Sequence, residues 1–112
     1  MDCVKGSTVS FMFRLLREDD APIPAIVFED TINSGFVPVW EALGVYDALY
    51  NSDGRRARDV SRTIAYGVDR LAEDASLARL FHATLSPEEA MRFLGSVQRA
   101  CMLHGDARIE TR

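Results

Sequence analysis

The chain has 112 residues, a formal charge of −4, and a hydrophobic content of 47%. This size and composition predict one ordinary globular domain, large enough to fold around a core without disulfides or metals. The negative charge disfavours general attraction to nucleic acids or anionic membranes, because affinity for phosphate is mainly electrostatic. Because the sequence shows neither a signal peptide nor a membrane-length apolar segment, we expect a soluble cytoplasmic protein.

Two segments near the start of the chain have the pattern of strands. Residues 7–17 alternate apolar and polar side chains, which is typical of a half-buried strand. After a polar turn, a second short strand is predicted over 23–29, where Pro24 favours a sheet edge because proline cannot donate to a ladder. We therefore predict a β-hairpin over 7–29. It must pack on helices or gain a third strand, since two strands alone are marginal.

The next segment predicts a helix that is apolar on most sides. After a loop or cap over 31–35, Pro38 fits the first turn of a helix that runs to about Tyr50. A helix of this kind is central in a core or lies at an interface, and aromatic side chains are enriched at interfaces. We predict that Trp40, Tyr46 and Tyr50 lie at an interface, and that part of this helix or the hairpin edge makes either a homodimer or a partner contact.

Two further helices precede the C-terminal one. The apolar periodicity predicts a helix from residue 56 to 73, a break near 74–76 and a shorter helix to about residue 83. Gly67 and Gly95 each fall inside a predicted helix, where glycine costs about 1 kcal/mol relative to alanine. We interpret both glycines as sites where two helices approach closely.

The C-terminal helix has both ends marked in the sequence. Ser86 is the predicted N-cap, and Glu89, three residues later, completes a capping box. Gly105 is predicted to end the helix in the left-handed conformation. The polar tail over 106–112 and residues 1–6 are predicted to be frayed.

These elements together predict an α+β fold. An N-terminal β-hairpin packs on a helix-dominated bundle of three to four helices, and the whole chain, 1–112, is one domain. The sequence contains no low-complexity stretch or linker that would divide it.

Candidate metal ligands are few and have no paired spacing. Cys101 and His104 can point at one ion from one helical face, and Cys3 and His82 are the remaining soft or imidazole ligands. The sequence favours a simpler interpretation, in which Cys101 is a small buried hydrophobe and His104 interacts favourably with the helix dipole. We therefore expect no metal and no other cofactor.

Catalytic motifs are also missing from the sequence. There is no GxSxG motif and no phosphate-binding glycine pattern. The adjacent carboxylates Glu88 and Glu89 are explained by helix capping and by the helix dipole. We therefore expect the protein not to be an enzyme.

The feature of the sequence that most suggests function is a cluster of arginines without any lysine. Its members are Arg55, Arg56, Arg58 and Arg62. They gather at the start of a predicted helix, where cations oppose the helix dipole, and this local conflict indicates a negatively charged partner. The planar guanidinium fork suits carboxylate and phosphate. The alternative is a solvated helix face on which these cations pair with Asp53, Asp59 and Asp69.

The expected function is that of a small, acidic, non-enzymatic protein-interaction module. It would act as a regulator, inhibitor or assembly factor, in the manner of small bacterial or mobile-element proteins. The expected partner-binding residues are Arg55, Arg56, Arg58, Arg62, Trp40, Tyr46 and Tyr50. The alternative is a nucleic-acid-associated regulator that uses the basic patch from Arg55 to Arg62, although the net charge makes nucleic acid the less favoured partner.

Overall fold

The structure is a computed structural model that describes residues 10–17, 22–81 and 85–112, without the side chains of Ala75 and Ala78. The strands are Ser10–Arg17 (β1), Ala25–Asn33 (β2) and Arg108–Thr111 (β3). The α-helices are Val37–Leu43 (α1), Tyr46–Tyr50 (α2), Ala57–Glu73 (α3) and Pro87–Leu103 (α4). Short 3-10 helices span Ser34–Phe36 and Ala75–Leu80. These elements confirm a helix-dominated α+β fold.

The three strands form an antiparallel sheet in the order β2-β1-β3. The alternation predicted for β1 is confirmed, because Phe11, Phe13 and Leu15 are all buried on the face that packs against the helices. Residue 9, predicted to share that face, lies outside the described residues. On the opposite face, Arg14 bonds Glu29 of β2 at 2.6 Å and Glu110 of β3 at 2.8 Å, so one guanidinium links all three strands.

The segment 31–35, predicted as a loop or a cap, is strand at Thr31 and Ile32 and a cap at Asn33. β2 continues to Asn33, because Ile32 pairs with Phe11 in the ladder and is buried in the core. The Asn33 side chain then accepts the Gly35 N–H at 2.6 Å, and this bond begins the 3-10 turn that leads into α1. The polar residues around position 31 thus belong to a strand whose outer face is exposed.

The prediction of a frayed tail over 106–112 is also wrong. Residues 108–111 form β3, and Ile109 pairs with Leu15 and is fully buried. The other edge of β3 is held as well: the Ile109 N–H donates to the Arg55 carbonyl at 2.8 Å, and the Gly54 N–H donates to the Ile109 carbonyl at 2.7 Å. The C-terminal strand therefore joins the sheet to the segment that precedes α3.

The single helix predicted from Pro38 to about Tyr50 is broken in two. Gly44 has a φ of 79°, a left-handed conformation that ends α1, and α2 begins two residues later. Pro38 lies in the first turn of α1, as predicted. The sequence pattern did not predict this break, because the residues on both sides of Gly44 are apolar and both α1 and α2 have a buried face.

The two long helices, α3 and α4, pack side by side in antiparallel directions. Arg58 near the start of α3 lies beside Gly105, which follows α4, and Gly67 in the middle of α3 lies beside Leu94. The predicted break after α3 is confirmed: Asp74 ends α3, and its carboxylate accepts the Ser76 N–H at 3.0 Å. The shorter helix predicted to follow is a 3-10 helix that ends at Leu80, and residues 82–84 lie outside the described part.

The predicted N-cap of α4 is confirmed, but its predicted stop is wrong. The Ser86 hydroxyl accepts the Glu89 N–H at 3.1 Å. Gly105 is not left-handed: within the described residues only Gly44 and Gly54 have positive φ. α4 instead ends at Leu103, and the carbonyl of Gly105 accepts a backbone N–H from α3.

The two interior glycines differ in what surrounds them. A Cβ on Gly67 would clash with the Val45 side chain, so there is a close approach at this glycine. Val45 lies in the connection between α1 and α2, so the approach does not come from a second helix as predicted, and Leu94 of α4 would make only an ordinary contact. Among the described residues, a Cβ on Gly95 would meet only the end of the Arg99 side chain, at 3.5 Å, so no close approach within this part of the chain explains the glycine.

Candidate protein-binding surface

The four arginines of the predicted cluster lie together at the start of α3, and the side chains of all four are exposed. Arg55 precedes the helix, Arg56 is its N-cap residue, and Arg58 and Arg62 follow within the first two turns. We call these four residues the arginine surface.

Backbone contacts from the C-terminal segment explain how arginines are tolerated at this helix start. A helix N-terminus leaves N–H groups without intrahelical acceptors. Here the Ala57 N–H donates to the Ala107 carbonyl at 2.9 Å, and the Arg58 N–H donates to the Gly105 carbonyl at 3.0 Å. These carbonyls bring negative partial charge to the positive end of the helix dipole, and they hold the backbone of the arginine surface in place.

Internal partners engage only part of the arginine surface. Arg58 forms an ion pair with Asp106, whose carbonyl also accepts a hydrogen bond from Arg56 at 3.1 Å. The Arg58 and Asp106 side chains are 65% and 92% exposed, so this pair contributes little to stability. Within the described part of the chain, Arg55 and Arg62 have no carboxylate partner.

In the described part of the chain, the aspartates named in the solvated-face alternative form no ion pair with Arg55 or Arg62. Asp53 accepts the Thr111 N–H at 2.8 Å, and Asp59 accepts the Arg56 N–H at 3.3 Å. Asp69 lies further along α3 and is exposed. The acid that pairs with the arginine surface is instead Asp106, which lies just after α4 and which the sequence pattern did not identify.

A shallow groove of about 540 Å³ lies between α3 and α4, next to the arginine surface. Its lining residues are Arg58, Ser61, Arg62, Ala65, Gln98, Cys101, Met102 and Gly105. Met102 is 68% exposed, an unusual position for a large apolar side chain beside two cations. The groove can therefore accept an apolar side chain whose neighbours carry negative charge.

The Cys101 thiol lines the floor of this groove and is buried. The side chain is 1% exposed, and burial raises the pKa of the thiol to about 12. A neutral thiol is a poor nucleophile and a poor metal ligand. No group of three metal-ligating side chains occurs within residues 10–17, 22–81 and 85–112. Cys3 and His82, the other candidate ligands, lie outside these ranges.

Of the three aromatic residues predicted to contact a partner, one lies in the core and two are partly exposed. Trp40 is fully buried between Phe36 and Phe93, with ring centroids 5.8 and 5.9 Å away, so it has no surface to offer a partner. Tyr46 and Tyr50 are half-buried and stack on each other at 4.9 Å. Their role at an interface stays a prediction, whereas Trp40 is removed from the binding set.

The Tyr50 hydroxyl is partly shielded from solvent. Burial raises its pKa, while the neighbouring Ser34 hydroxyl acts in the opposite direction. Tyr50 also stacks on Phe11 of β1 at 3.9 Å, so its ring belongs mainly to the packing between α2 and the sheet.

Searches of family models, of characterised proteins and of solved structures find no match to this chain. Among the described helices, none combines the length and the apolar character that crossing a membrane requires.

Proposed function

We propose that this protein is a non-enzymatic interaction module that binds an acidic segment of a protein partner through the arginine surface. One observation carries the proposal: Arg55 and Arg62 are exposed and have no carboxylate partner in the described part of the chain. Such cations at a helix start are available to carboxylates of another molecule.

The rigidity of the backbone beneath the arginines supports the proposal. The hydrogen bonds from Ala57 to Ala107 and from Arg58 to Gly105 fix the first turn of α3, so binding does not have to order it. The exposed Arg58–Asp106 pair is weak, and a partner carboxylate can replace Asp106 at small cost. A regulator, inhibitor or assembly factor would use such a surface to recognise its target.

The test is affinity capture from the native host with the wild-type protein and with a variant that carries Arg55→Glu, Arg58→Glu and Arg62→Glu. We expect the reversed variant to lose the captured partner and to keep its fold, since exposed charge changes usually shift stability by less than about 0.5 kcal/mol each. Arg99→Glu is the matched control, because Arg99 is also an exposed helical arginine but lies outside the groove lining. Capture of the same partner at native affinity by the reversed variant would refute the proposal.

Replacement of the same three arginines by lysine separates charge from geometry. Lysine keeps the positive charge but lacks the planar fork that binds a carboxylate in a bidentate manner. We expect weaker binding than wild type and stronger binding than the glutamate variant.

The second candidate partner is nucleic acid, because clustered arginines also bind phosphate. The chain as a whole carries a charge of −4, which opposes this binding. Titration with duplex DNA over a range of salt concentrations distinguishes the two candidates. Binding that weakens steeply with salt, with a shallower slope for the glutamate variant, would favour nucleic acid.

A further inference from the structure

The exposed face of α3 carries charges of opposite sign on either side of one aromatic residue. Arg62, Tyr66, Asp69 and Glu73 follow one another at helical spacing, and all four are exposed. Tyr66 is 64% exposed, which is unusual for a large hydrophobic side chain. The cation Arg62 thus precedes Tyr66 along the stripe, with Arg58 one turn further before it, and the two carboxylates follow Tyr66.

Two charges run against this order, and each makes contacts within the chain. Asp59, the acid at the basic end, accepts the Arg56 N–H at 3.3 Å. Arg70, the cation at the acidic end, forms an ion pair with Asp74 at 3.6 Å and donates to the Ala42 carbonyl at 3.0 Å.

What remains on the stripe is segregated by sign, and Arg58, one turn before Arg62, is held only by its exposed ion pair with Asp106. Arg62, Asp69 and Glu73 have no ion-pair partner among the described residues. The stripe is therefore left with positive charge before Tyr66 and negative charge after it.

A stripe with this order is complementary to itself when two copies lie antiparallel. With a rise of about 1.5 Å per residue, Arg62 lies about 6 Å before Tyr66, and Asp69 lies about 4.5 Å after it. A second α3 that crosses at Tyr66 in the opposite direction therefore brings its Asp69 level with Arg62. The same symmetry brings its Glu73, which lies about 10.5 Å after Tyr66, level with Arg58, which lies about 12 Å before Tyr66.

We infer that α3 binds α3 of a second copy of this chain, antiparallel, about a two-fold axis at Tyr66. The inference rests on the proposed function and names a partner for the same arginine surface. Such an interface is isologous, so each charge pair is made twice, and the two Tyr66 rings meet at the axis. Because the contact depends on exposed charges, the dimer should dissociate as salt screens them.

The experiment uses two complementary variants of the full chain. The all-acidic variant carries Arg58→Glu and Arg62→Glu, and the all-basic variant carries Asp69→Lys and Glu73→Lys. Sedimentation velocity at low and high salt measures association of each protein alone and of an equimolar mixture. Arg99→Glu is the control, because Arg99 lies seven residues after Arg92, on the α4 face where Arg92 pairs with Asp30 of β2.

We expect the wild type and the Arg99→Glu control to dimerise at low salt and to dissociate at high salt. Each charge variant alone should raise the dissociation constant of the dimer about tenfold or more, because like charges then face each other. The mixture should restore a heterodimer, since every pair is then attractive. Tyr66→Ser changes no charge and should also weaken the dimer.

A wild type that stays monomeric at low salt would overturn the inference. A mixture that fails to associate, or charge variants that dimerise as the wild type does, would overturn it as well. The proposed function is judged separately: a monomeric wild type whose captured partner is lost on arginine reversal leaves that proposal standing and rejects only self-association.

Discussion

Gly67 and Gly95 both lie inside long helices, but an added Cβ would clash with a neighbouring side chain only at Gly67 among the described residues. Gly67→Ala should destabilise the fold, because its methyl group would overlap the side chain of Val45, which is buried and stiff. Gly95→Ala should raise stability by up to about 1 kcal/mol, because alanine favours the helix and, among the described residues, its methyl group would make only an ordinary contact with Arg99.

Chemical denaturation of the two variants measures this difference directly, since both make the same substitution in the middle of a long helix. The two changes in unfolding free energy should have opposite signs. Equal changes would mean that α3 and the segment around Val45 are not packed as closely as the structure describes.

At the scale of the element, the sequence correctly predicted those features that depend only on residues adjacent in the chain. The alternation in β1 and the serine at the start of α4 were identified because a strand face and an N-cap need only a few adjacent positions. β3 was missed because a four-residue strand with one buried apolar side chain, Ile109, has no periodic pattern. Only its pairing with β1 and with the segment before α3 makes it a strand.

The same reasoning explains the mixed result for the candidate surface. The arginine cluster was found because its four members are close in sequence, and the structure places all of them on the surface. Asp106 and Met102 were missed because they reach this surface only through the antiparallel packing of α3 and α4. Trp40 was misjudged because an apolar helix in a core and one at an interface have the same sequence pattern.

The two ends of α4 give a prediction at this scale. Ser86→Ala removes the hydroxyl that accepts the Glu89 N–H and should cost about 1 kcal/mol, or roughly 4–8 °C in melting temperature. Gly105→Ala should cost far less, because Gly105 is not left-handed and an added methyl group would make an ordinary contact with Arg58, at 3.5 Å. Thermal unfolding compares the two variants, and a larger loss for Gly105→Ala would contradict this description of the helix end.

At the scale of the molecule, the C-terminal strand connects the fold to the candidate surface. β1 is the central strand. It pairs with β2, which follows it in the sequence, and with β3, which is formed by the C-terminal residues. The same C-terminal segment supplies the carbonyls of Gly105, Ala107 and Ile109, which accept N–H groups from the segment around Arg55 and Arg58. The backbone beneath the arginine surface is therefore fixed only when the last residues of the chain are in place.

Deletion of residues 107–112 should consequently remove both stability and binding. The truncated chain loses the whole of β3 and the fully buried Ile109, so β1 becomes an edge strand without its ladder partner and a cavity opens in the core. We expect no cooperative thermal transition near that of the intact protein, and sharply increased hydrogen exchange at the amides of Gly54 and Ala57, which lose the carbonyls of Ile109 and Ala107. Replacement of Thr111 by valine is the control, because it keeps the length of β3 and a β-branched side chain. A truncated protein with native melting behaviour and protected α3 amides would show that β3 neither completes the sheet nor holds the arginine surface.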